Sequence, residues 1–411
     1  MFTEKSNRYR FVIEALVLLI LTCIGVIWVA TGPILSPMME DYGISRGTVS
    51  WSASIAALGV VFFSVPSGIL CSKIGIRKTF AIGAFLMSVG FLTPLCTSFL
   101  LLLATRLIFA IGTAMTFPIA GGIVTQWFTR RELPLINGLN VSSTSVGNTV
   151  ALFATVPIAS LLSWRAPLTI YGVIALIGAV LWFFLGRERQ TVPVAQDTKR
   201  EPVAALGVRD VLKLKAIWYL ALSMVGPFCL SMAISSWLPT YYNEEFGIPL
   251  VQASSITALF TMAGIPACIL GGLLPMWLGR RKPFLIIPGA LIGFAGLGTF
   301  IINNPLLNIS CVILFGICIQ IYMPSIFTIT MELPGMSART VALALAVSTA
   351  MGDIGGFVGP LLVGYTADAT ASYIPGFVGC CVLSSSLLVG GLLLPETGPK
   401  AKKAEQTLPD K

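Results

Sequence analysis

Charged residues are scarce in this sequence, and histidine is absent. Lys, Arg, Asp and Glu together make up 10% of the 411 residues, whereas about 25% is usual in soluble globular proteins. The mean hydropathy is +0.90. So few charges cannot cover a water-exposed surface, which excludes a soluble enzyme or a soluble binding protein. The absence of histidine excludes histidine metal sites and histidine proton relays, so a carboxylate is the natural proton carrier here.

Two kinds of motif are also missing. The sequence contains no Gly-x-x-x-x-Gly-Lys-Ser/Thr phosphate-binding loop, so we do not expect ATP to be the direct energy source. Its nine cysteines fall in apolar stretches, which indicates small core residues rather than a disulfide framework. No clustered set of nucleophile, base or metal ligands stands out, so we predict neither enzyme activity, nor a cofactor, nor a metal site.

Long apolar segments dominate what is present. A membrane-spanning helix needs about 20 mostly apolar residues, and the sequence predicts twelve such spans. They are residues 12–34, 49–71, 79–97, 99–123, 137–161, 166–186, 216–240, 251–275, 283–302, 306–330, 340–364 and 373–394. The polar segment 187–215 separates the first six spans from the last six. The sequence therefore predicts four regions: an N-terminal six-helix bundle (1–186), a cytoplasmic loop (187–215), a C-terminal six-helix bundle (216–394) and a cytoplasmic tail (395–411).

The basic residues are unevenly distributed among the loops. Of the 26 Lys and Arg residues, 23 fall on the side of the membrane that carries the N-terminus, Arg46 and Arg165 fall on the other side, and Arg106 lies within a span. Because cytoplasmic loops are enriched in Lys and Arg, we predict that both termini are cytoplasmic, in a multi-pass protein of the plasma (inner) membrane. This pattern explains the net charge of +9 without nucleic acid as a partner. Membrane lipids are the expected surroundings.

The two halves of the sequence contain the same landmarks. A loop with two glycines seven residues apart, followed by basic residues, comes after the second span and again after the eighth. Its residues are Gly68, Gly75, Arg77 and Lys78 in the first copy and Gly272, Gly279, Arg280 and Arg281 in the second. Glu132-Leu-Pro recurs as Glu332-Leu-Pro 200 positions later, close to the 204 positions that separate the loops. Two landmarks with nearly the same offset indicate duplication of a six-span unit.

Three further motifs complete a resemblance to a known family. They are Arg106 followed by Gly112 in the fourth span, Trp127-Phe128-Thr129-Arg130-Arg131 before the fifth, and Trp164-Arg165 after it. Over essentially its whole length the chain resembles the major facilitator superfamily. The resemblance implies an all-α integral membrane fold of twelve helices in two pseudo-symmetric six-helix bundles, a monomer, and secondary active transport by alternating access (a rocker switch). It also implies that the two glycine loops act as gating loops.

The sequence departs from the family pattern in two places. In the family, an acid usually stands four residues after the first glycine of the loop. Here that position is Ser72 in the first copy and Met276 in the second. The charge interaction attributed to that acid, which is thought to hold one conformation of the transporter closed on its inner side, is therefore not expected. We interpret Gly68 and Gly75 as allowing close helix approach and a tight reversal. The fifth span also lacks the glycine-proline motif of drug–proton antiporters, which disfavours multidrug export.

Three ionisable residues lie within predicted spans, where a charge costs about 3 kcal/mol to insert. Asp353 in the eleventh span is a candidate proton carrier or cation ligand, or else a structural acid bonded to backbone beside the neighbouring glycines. Arg106 is a candidate anion contact or proton-coupling partner of a carboxylate, or else a structural group in an ion pair or bonded to first-span carbonyls. Glu14 is a candidate for proton coupling, or else extends to the membrane interface.

Polar and aromatic residues within the spans are candidates for substrate binding. Asn140, Thr144 and Asn148 recur every four residues and so share one helical face, which we expect to be turned towards protein or a cavity rather than lipid. With Arg106 and Asp353, the candidate substrate-binding residues are Trp28, Asn140, Thr144, Asn148, Gln320 and Tyr322.

These features predict a secondary active transporter for a small organic solute. One arginine set against one or two acids favours an organic anion carried in symport with protons. A proton-coupled exporter of amphiphilic or cationic compounds, with Asp353 as the cation ligand, is the alternative. A non-transporting membrane sensor is a remote alternative, since it would need a soluble effector domain that the sequence does not show.

Overall fold

The computed structural model describes residues 4–129, 132–188, 213–302, 304–333 and 338–398, and in these ranges the chain is helical without strands. The first helices are α1 (Glu4–Val29), α2 (Leu35–Tyr42), α3 (Arg46–Ile74), α4 (Ile76–Met87), α5 (Phe99–Trp127), α6 (Leu133–Leu161) and α7 (Arg165–Leu185), with 3-10 segments at Gly32–Ile34 and Ser88–Leu95. They are followed by α8 (Lys215–Phe246), α9 (Leu250–Leu278), α10 (Pro283–Ile301), α11 (Pro305–Ile321), α12 (Met323–Glu332), α13 (Ala338–Thr370), α14 (Ile374–Ser384) and α15 (Ser386–Leu393).

Twelve segments of the described chain are long and apolar enough to cross a membrane, which confirms the twelve predicted spans. Each overlaps its predicted counterpart, and several extend a few residues further, as in Lys215–Phe246 for the predicted 216–240. The first span is interrupted between α1 and α2, and the tenth is interrupted between α11 and α12. Pro33 lies at the first interruption and Pro324 at the second. Since proline lacks the backbone N–H that an α-helix uses, it accounts for the break in the helix at each point.

The described residues form two compact units. Unit 1 contains the described parts of Met1–Val194 together with Ser235–Ala258, and unit 2 contains the described parts of Ala195–Ile234 and Leu259–Lys411. Helices α8 and α9 therefore each contribute to both units. The predicted cytoplasmic loop and tail lie largely outside the described residues, which exclude 189–212 and 399–411.

In unit 1, α1 packs closely against α6. Gly25 of α1 lies against the backbone of Thr144 and Asn148, and Gly147 of α6 lies against the backbone of Thr22. A Cβ atom at either glycine would overlap these backbone atoms. In lipid, helices associate through such close contacts of small residues, since the hydrophobic effect does not drive their association there. The contact holds the polar residues of α6 beside α1.

In unit 2, α8 packs against α13 through the same kind of contact. Gly355 of α13 lies against the backbone of Val225, and Gly359, one turn later, lies against the backbone of Cys229. Asp353 belongs to the same helix, two residues before the first of these glycines. Asp353 therefore lies on a different face of α13 from the glycines that contact α8.

The two glycine loops reverse the chain in the same way. Gly75 precedes α4 with a φ of +88°, and Gly279 precedes α10 with a φ of +70°, in the region that favours glycine. The tight reversal expected at Gly75 is therefore present. A Cβ atom at Gly68 or Gly272 would meet no described atom within 4 Å. The described residues therefore show no close helix approach at Gly68, and that expectation stays a prediction.

Candidate substrate and proton sites

Arg106 of α5 is buried, and its guanidinium binds backbone oxygens of two other helices. Nη1 donates to the carbonyl oxygen of Ile27 at 2.9 Å and Nη2 donates to that of Trp28 at 3.3 Å, while Nε donates to the carbonyl oxygen of Ser52 in α3 at 3.0 Å. Because α1 ends at Val29, its last carbonyls lack the usual helical N–H partners. Arg106 therefore satisfies the end of α1 and ties α1, α3 and α5 together.

The positive charge of Arg106 is not neutralised within the described part of the chain. The ion pairs found there do not include Arg106, and its other contact is with the ring of Phe109, whose centroid lies 5.1 Å from Cζ. A guanidinium has five N–H donors, and three of them make the bonds to carbonyl oxygens. The bonds to carbonyl oxygens of the first span, predicted as a structural role for Arg106, are thus observed. Two N–H donors of the guanidinium remain for a ligand.

Polar groups accompany Arg106 at the end of α1 and in α3. The hydroxyls of Thr31 and Ser54 are fully buried and have no hydrogen-bond partner among the described residues. The ring of Trp28 lies 6.1 Å from that of Phe109. Ser54 is a residue that the sequence analysis missed, although the alternating Ser50, Ser52 and Ser54 in an apolar span form a recognisable signal.

The side chain of Glu14 in α1 is buried among other described residues and does not extend to the protein surface. Its side chain is 5% exposed, and neither carboxylate oxygen has a hydrogen-bond partner among the described residues. Asn140 of α6 is 6% exposed, and both its amide nitrogen and its amide oxygen are likewise without a described partner. Two buried polar side chains of unit 1 therefore keep their full hydrogen-bonding capacity.

The polar face of α6 is turned towards protein, as the four-residue spacing predicts. Asn140 is buried, Thr144 and Asn148 are half-buried, and the backbone of the latter two contacts Gly25 of α1. The hydroxyl of Thr144 donates to the carbonyl oxygen of Val141 at 2.7 Å, whereas the amide oxygen of Asn148 has no described partner. Of these three residues, Asn140 and Asn148 therefore have free polar atoms that could bind a ligand.

Three other candidates belong to unit 2. Asp353 is half-buried and makes no hydrogen bond or ion pair with a described residue. Tyr322 is fully buried where α11 meets α12, and its hydroxyl has no described partner. Gln320, two residues earlier, packs its Cγ against Gly264. Asp353 and Tyr322 thus have polar groups free for a ligand, whereas Gln320 is observed only in an apolar contact.

The second gating loop is held by an acid that the sequence analysis missed. Glu396 accepts hydrogen bonds from the backbone N–H groups of Arg281 at 2.7 Å and Lys282 at 3.2 Å, at the start of α10. Glu332 pairs with the guanidinium of Arg281 at 3.3 Å and accepts from the hydroxyl of Thr397 at 2.8 Å. The signal for Glu396 was a Pro-Glu-Thr-Gly sequence directly after the last span. The loop that lacks an acid at Met276 is therefore bound by acids from two other segments, Glu332 and Glu396.

The first gating loop makes different contacts. Nη2 of Arg77 donates to the carbonyl oxygen of Phe183 at 3.2 Å, and Nε1 of Trp182 donates to the carbonyl oxygen of Arg77 at 3.2 Å. Both contacts join the start of α4 to the end of α7. The side chain of Arg77 thus has a protein partner at the C-terminal end of α7.

The two bases that the sequence places opposite the gating loops are both paired with acids. Arg46 at the start of α3 binds Glu244 at 3.0 Å, and Arg165 at the start of α7 binds Asp41 at 2.6 Å. The guanidinium of Arg165 also lies over the ring of Trp164, with Cζ 4.4 Å from its centroid. These pairs contrast with Arg106, which has no such acid among the described residues.

Comparison with known proteins places the chain in one family. The Major Facilitator Superfamily matches residues 17–360. The nitrite extrusion protein of Bacillus subtilis (strain 168) is 23% identical over 369 residues, 88% of this chain and 89% of that protein. The D-galactonate transporter of Escherichia coli O6:H1 is 25% identical over 388 residues, 86% of this chain and 87% of that protein.

A solved structure has the same fold. The crystal structure of a bacterial homologue of the human lysosomal transporter Spinster superposes with a TM-score of 0.71, at 17% identity over 94% of both chains. The twelve spans, the all-helical architecture and the match over most of the sequence agree with one another. The chain belongs to the Major Facilitator Superfamily, and it is a membrane transporter rather than an enzyme.

Proposed function

We propose that this chain carries a small organic anion, in symport with protons, by alternating access. The observation that supports this most strongly is the buried guanidinium of Arg106, which has no carboxylate partner among the described residues. A buried charge without a counter-charge is costly. An anionic substrate that supplies the missing charge would bind there for the same reason.

The chemistry around Arg106 and the named relatives also support an anion. The D-galactonate transporter and the nitrite extrusion protein are both named for small anions. The free hydroxyls of Thr31 and Ser54 and the amide oxygen of Asn148 can bind hydroxyl groups of a substrate. Such groups suit a hydroxylated carboxylate such as a sugar acid better than an inorganic ion, which has no hydroxyl groups to donate.

Protons are the coupling ion that fits the acids of the spans. Moving one negative charge against a membrane potential of about 100 mV costs about 2.3 kcal/mol, and a proton carried with the anion cancels that charge. Asp353 and Glu14 are not exposed, lie away from the ends of their described spans, and form no ion pair with a described base. Together with Arg106, they are the proposed proton-coupling residues.

A proton-coupled exporter of amphiphilic cations remains a second candidate. It is supported by Asp353, which lies in unit 2 without an ion-pair partner among the described residues and could bind an ammonium group. In this candidate, proton and cation would compete for Asp353. The sign of the substrate charge therefore separates the two candidates.

We further propose that both termini are cytoplasmic and that the protein works as a monomer in the plasma membrane. The distribution of basic residues supports the orientation, with 23 on the side of the N-terminus and two on the other side. The same orientation puts both gating loops on the cytoplasmic side.

Uptake into proteoliposomes tests the function. Vesicles containing the protein would be given radiolabelled sugar acids, monocarboxylates, sulfonates or nitrite, with and without an acidic outside. We expect accumulation of an organic anion that requires the pH gradient and is abolished by a protonophore. Vesicles with Arg106→Gln serve as the matched control. Proton-driven movement of a lipophilic cation, with no anion transported, would instead establish the second candidate.

A further inference from the structure

The seam between α1 and α6 keeps one register over most of its length. At one end Arg10 pairs with Glu132 at 3.0 Å, and further along Gly25 lies beside Gly147. In both pairs the second residue is 122 positions after that of α1, and Glu132 directly precedes α6 while Gly147 lies within it. Fifteen residues of helix correspond to about 22 Å, so the two helices run parallel and in step over that distance.

This register places Glu14 of α1 and Asn140 of α6 about one helical turn apart along the seam, each on the side of its helix that contacts the other helix. The residue of α6 opposite Glu14 is Ile136, and Asn140 follows it by four positions on the same face. Glu14 follows Arg10 by four positions on the face of α1 that meets α6. Both side chains thus belong to the rows that the two helices turn towards each other.

Both side chains are more than nine-tenths buried, and all four of their polar side-chain atoms are without a described partner. An ionised carboxylate in such a place is strongly disfavoured unless a partner compensates it. A neutral amide can bond to both forms of a carboxyl, because it has both a donor and an acceptor. Its nitrogen can donate to the carboxylate, and its oxygen can accept from the protonated acid.

Most charged groups around the seam have described partners other than Glu14. On α1, Arg8 is exposed, and Arg10 pairs through Nη1 with Glu132, which also accepts from Thr129, while its buried Nε has no described partner. The phenol of Tyr171 in α7 shares a hydrogen bond with Thr155. Where Arg187 follows α7, it lies over the ring of Tyr9, with Cζ 4.5 Å from the centroid.

The bases of the other neighbouring helices are not at the level of Glu14. Arg106 of α5 binds carbonyls of Ile27 and Trp28, and Ile27 lies 13 residues along α1, or about 20 Å, from Glu14. At the ends of α3, Arg46 pairs with Glu244 and Lys73 is exposed. None of these described bases binds Glu14.

We propose that Glu14 and Asn140 form a proton-binding site in the seam between α1 and α6, distinct from the anion site at Arg106. Glu14 takes up the proton. Asn140, one turn further along the seam and not bonded to Glu14 in this structure, is the positioning residue whose amide can bond to either form of the carboxyl. This inference deepens the proposed function and rests on it for the role of the proton in transport. It also moves Asn140 from the candidate substrate contacts to the proton site.

Infrared difference spectroscopy tests the site without any substrate. Purified protein in lipid would be titrated with acid while the carbonyl stretch of protonated carboxyl groups is recorded. We expect one titrating band to be absent in Glu14→Gln, and to change both frequency and midpoint in Asn140→Ala. Asn137→Ala is the matched control, since Asn137 lies on the same helix and is exposed. Circular dichroism and size-exclusion chromatography would establish that each variant is folded.

Three outcomes would overturn the site: all titrating bands persist in Glu14→Gln, the bands of Asn140→Ala equal those of the wild type, or sodium at constant pH displaces the band. Should Glu14→Gln not fold, Glu14→Asp provides a second test, with a band shifted in frequency rather than lost. The result is distinguishable from that of the uptake assay. Proton-driven uptake with no Glu14 band would leave the proposed function standing, and a Glu14 band without uptake of any anion would leave the proton site standing.

Discussion

Arg106 donates a hydrogen bond from Nη1 to the carbonyl oxygen of Ile27 at 2.9 Å, which joins the N-terminal third of the fourth span to the last turn of α1. The same guanidinium serves Trp28 and Ser52, so one side chain links three helices of unit 1. Its remaining donors and its charge are available to an anion. The residue therefore combines a structural role with the proposed binding role, and its substitutions must be analysed for both.

Replacing Arg106 by Gln should abolish anion uptake and lower thermal stability. The change removes the charge and breaks up to three charge-assisted hydrogen bonds, each worth about 1.5–3 kcal/mol. Arg106→Lys keeps the charge but cannot reach three oxygens at once, so it should retain measurable uptake with a raised KM. Uptake and thermal unfolding are measured together, with Arg46→Lys as the exposed control. Wild-type uptake in folded Arg106→Gln would rule out the anion contact.

Asp353→Asn should abolish proton-driven accumulation while leaving the protein folded. The amide is nearly isosteric with the acid but cannot bind and release a proton near neutral pH. Exchange of labelled for unlabelled substrate, which needs no net proton movement, should continue. Accumulation and exchange are compared in the same vesicles, with the exposed Asp368→Asn as reference. The proton role of Asp353 is wrong if the variant keeps the pH dependence of the wild type.

Gly25→Ala should destabilise unit 1 by about 1–3 kcal/mol, the usual cost of overpacking. A Cβ atom there would overlap the backbone of Thr144, which cannot move aside as a flexible side chain can. At Gly178 the added Cβ would lie 3.5 Å from Leu19, an ordinary contact, so Gly178→Ala should be tolerated. Thermal unfolding of both variants in the same detergent makes the comparison. Equal stability of the two would show that α1 and α6 are not in backbone contact.

Glu396→Ala should lower stability by about 1 kcal/mol, as the loss of a helix N-cap does. The carboxylate binds two backbone N–H groups at the start of α10 and lies where the helix dipole favours a negative charge. Glu396→Gln should lose less, because its amide oxygen can still accept one of the two bonds. Glu245→Ala, at an exposed position, should have no effect. Thermal unfolding decides, and no loss in Glu396→Ala would show that other groups hold the loop.

Glu132 should make stability depend on pH in the acid range. The backbone N–H and the hydroxyl of Thr129 donate to its carboxylate, and Arg10 lies beside it, so the pKa of Glu132 is held below its ordinary value. A lowered pKa in the folded state contributes stability above the ordinary pKa and loses it as the pH falls through the folded-state value. The loss should therefore occur below about pH 4.5.

Thermal unfolding of Glu132→Gln against pH measures this contribution. The variant should be less stable than the wild type at neutral pH, and the difference should shrink as the pH falls below about 4.5. Glu40→Gln, an exposed carboxylate to which no described base is bound, is the control. A difference that stays constant over the acid range would show that the carboxylate charge of Glu132 contributes nothing.

Much of the architecture could be predicted from residue type alone. Runs of about 20 apolar residues are required to cross a membrane, so the twelve spans follow from composition and length. The repeat follows from the matching positions of Gly75 and Gly279 in the two loops. Glycine is also the residue that best adopts the positive φ angle found at both positions. Arg106, Asp353 and Glu14 stand out because charges in spans are few. These conclusions depend on local sequence, which is why they needed no coordinates.

The partners of these residues depended on the tertiary structure. That Arg106 binds Ile27, Trp28 and Ser52 rather than an acid is a consequence of where α1 ends, and no spacing in the sequence encodes it. The backbone contact of Gly25 with Thr144 is likewise a property of packing. Sequence alone determined which side chains are chemically unusual in this protein. Only the three-dimensional arrangement decided which of them are satisfied, because long-range contacts join residues whose separation along the chain carries no signal.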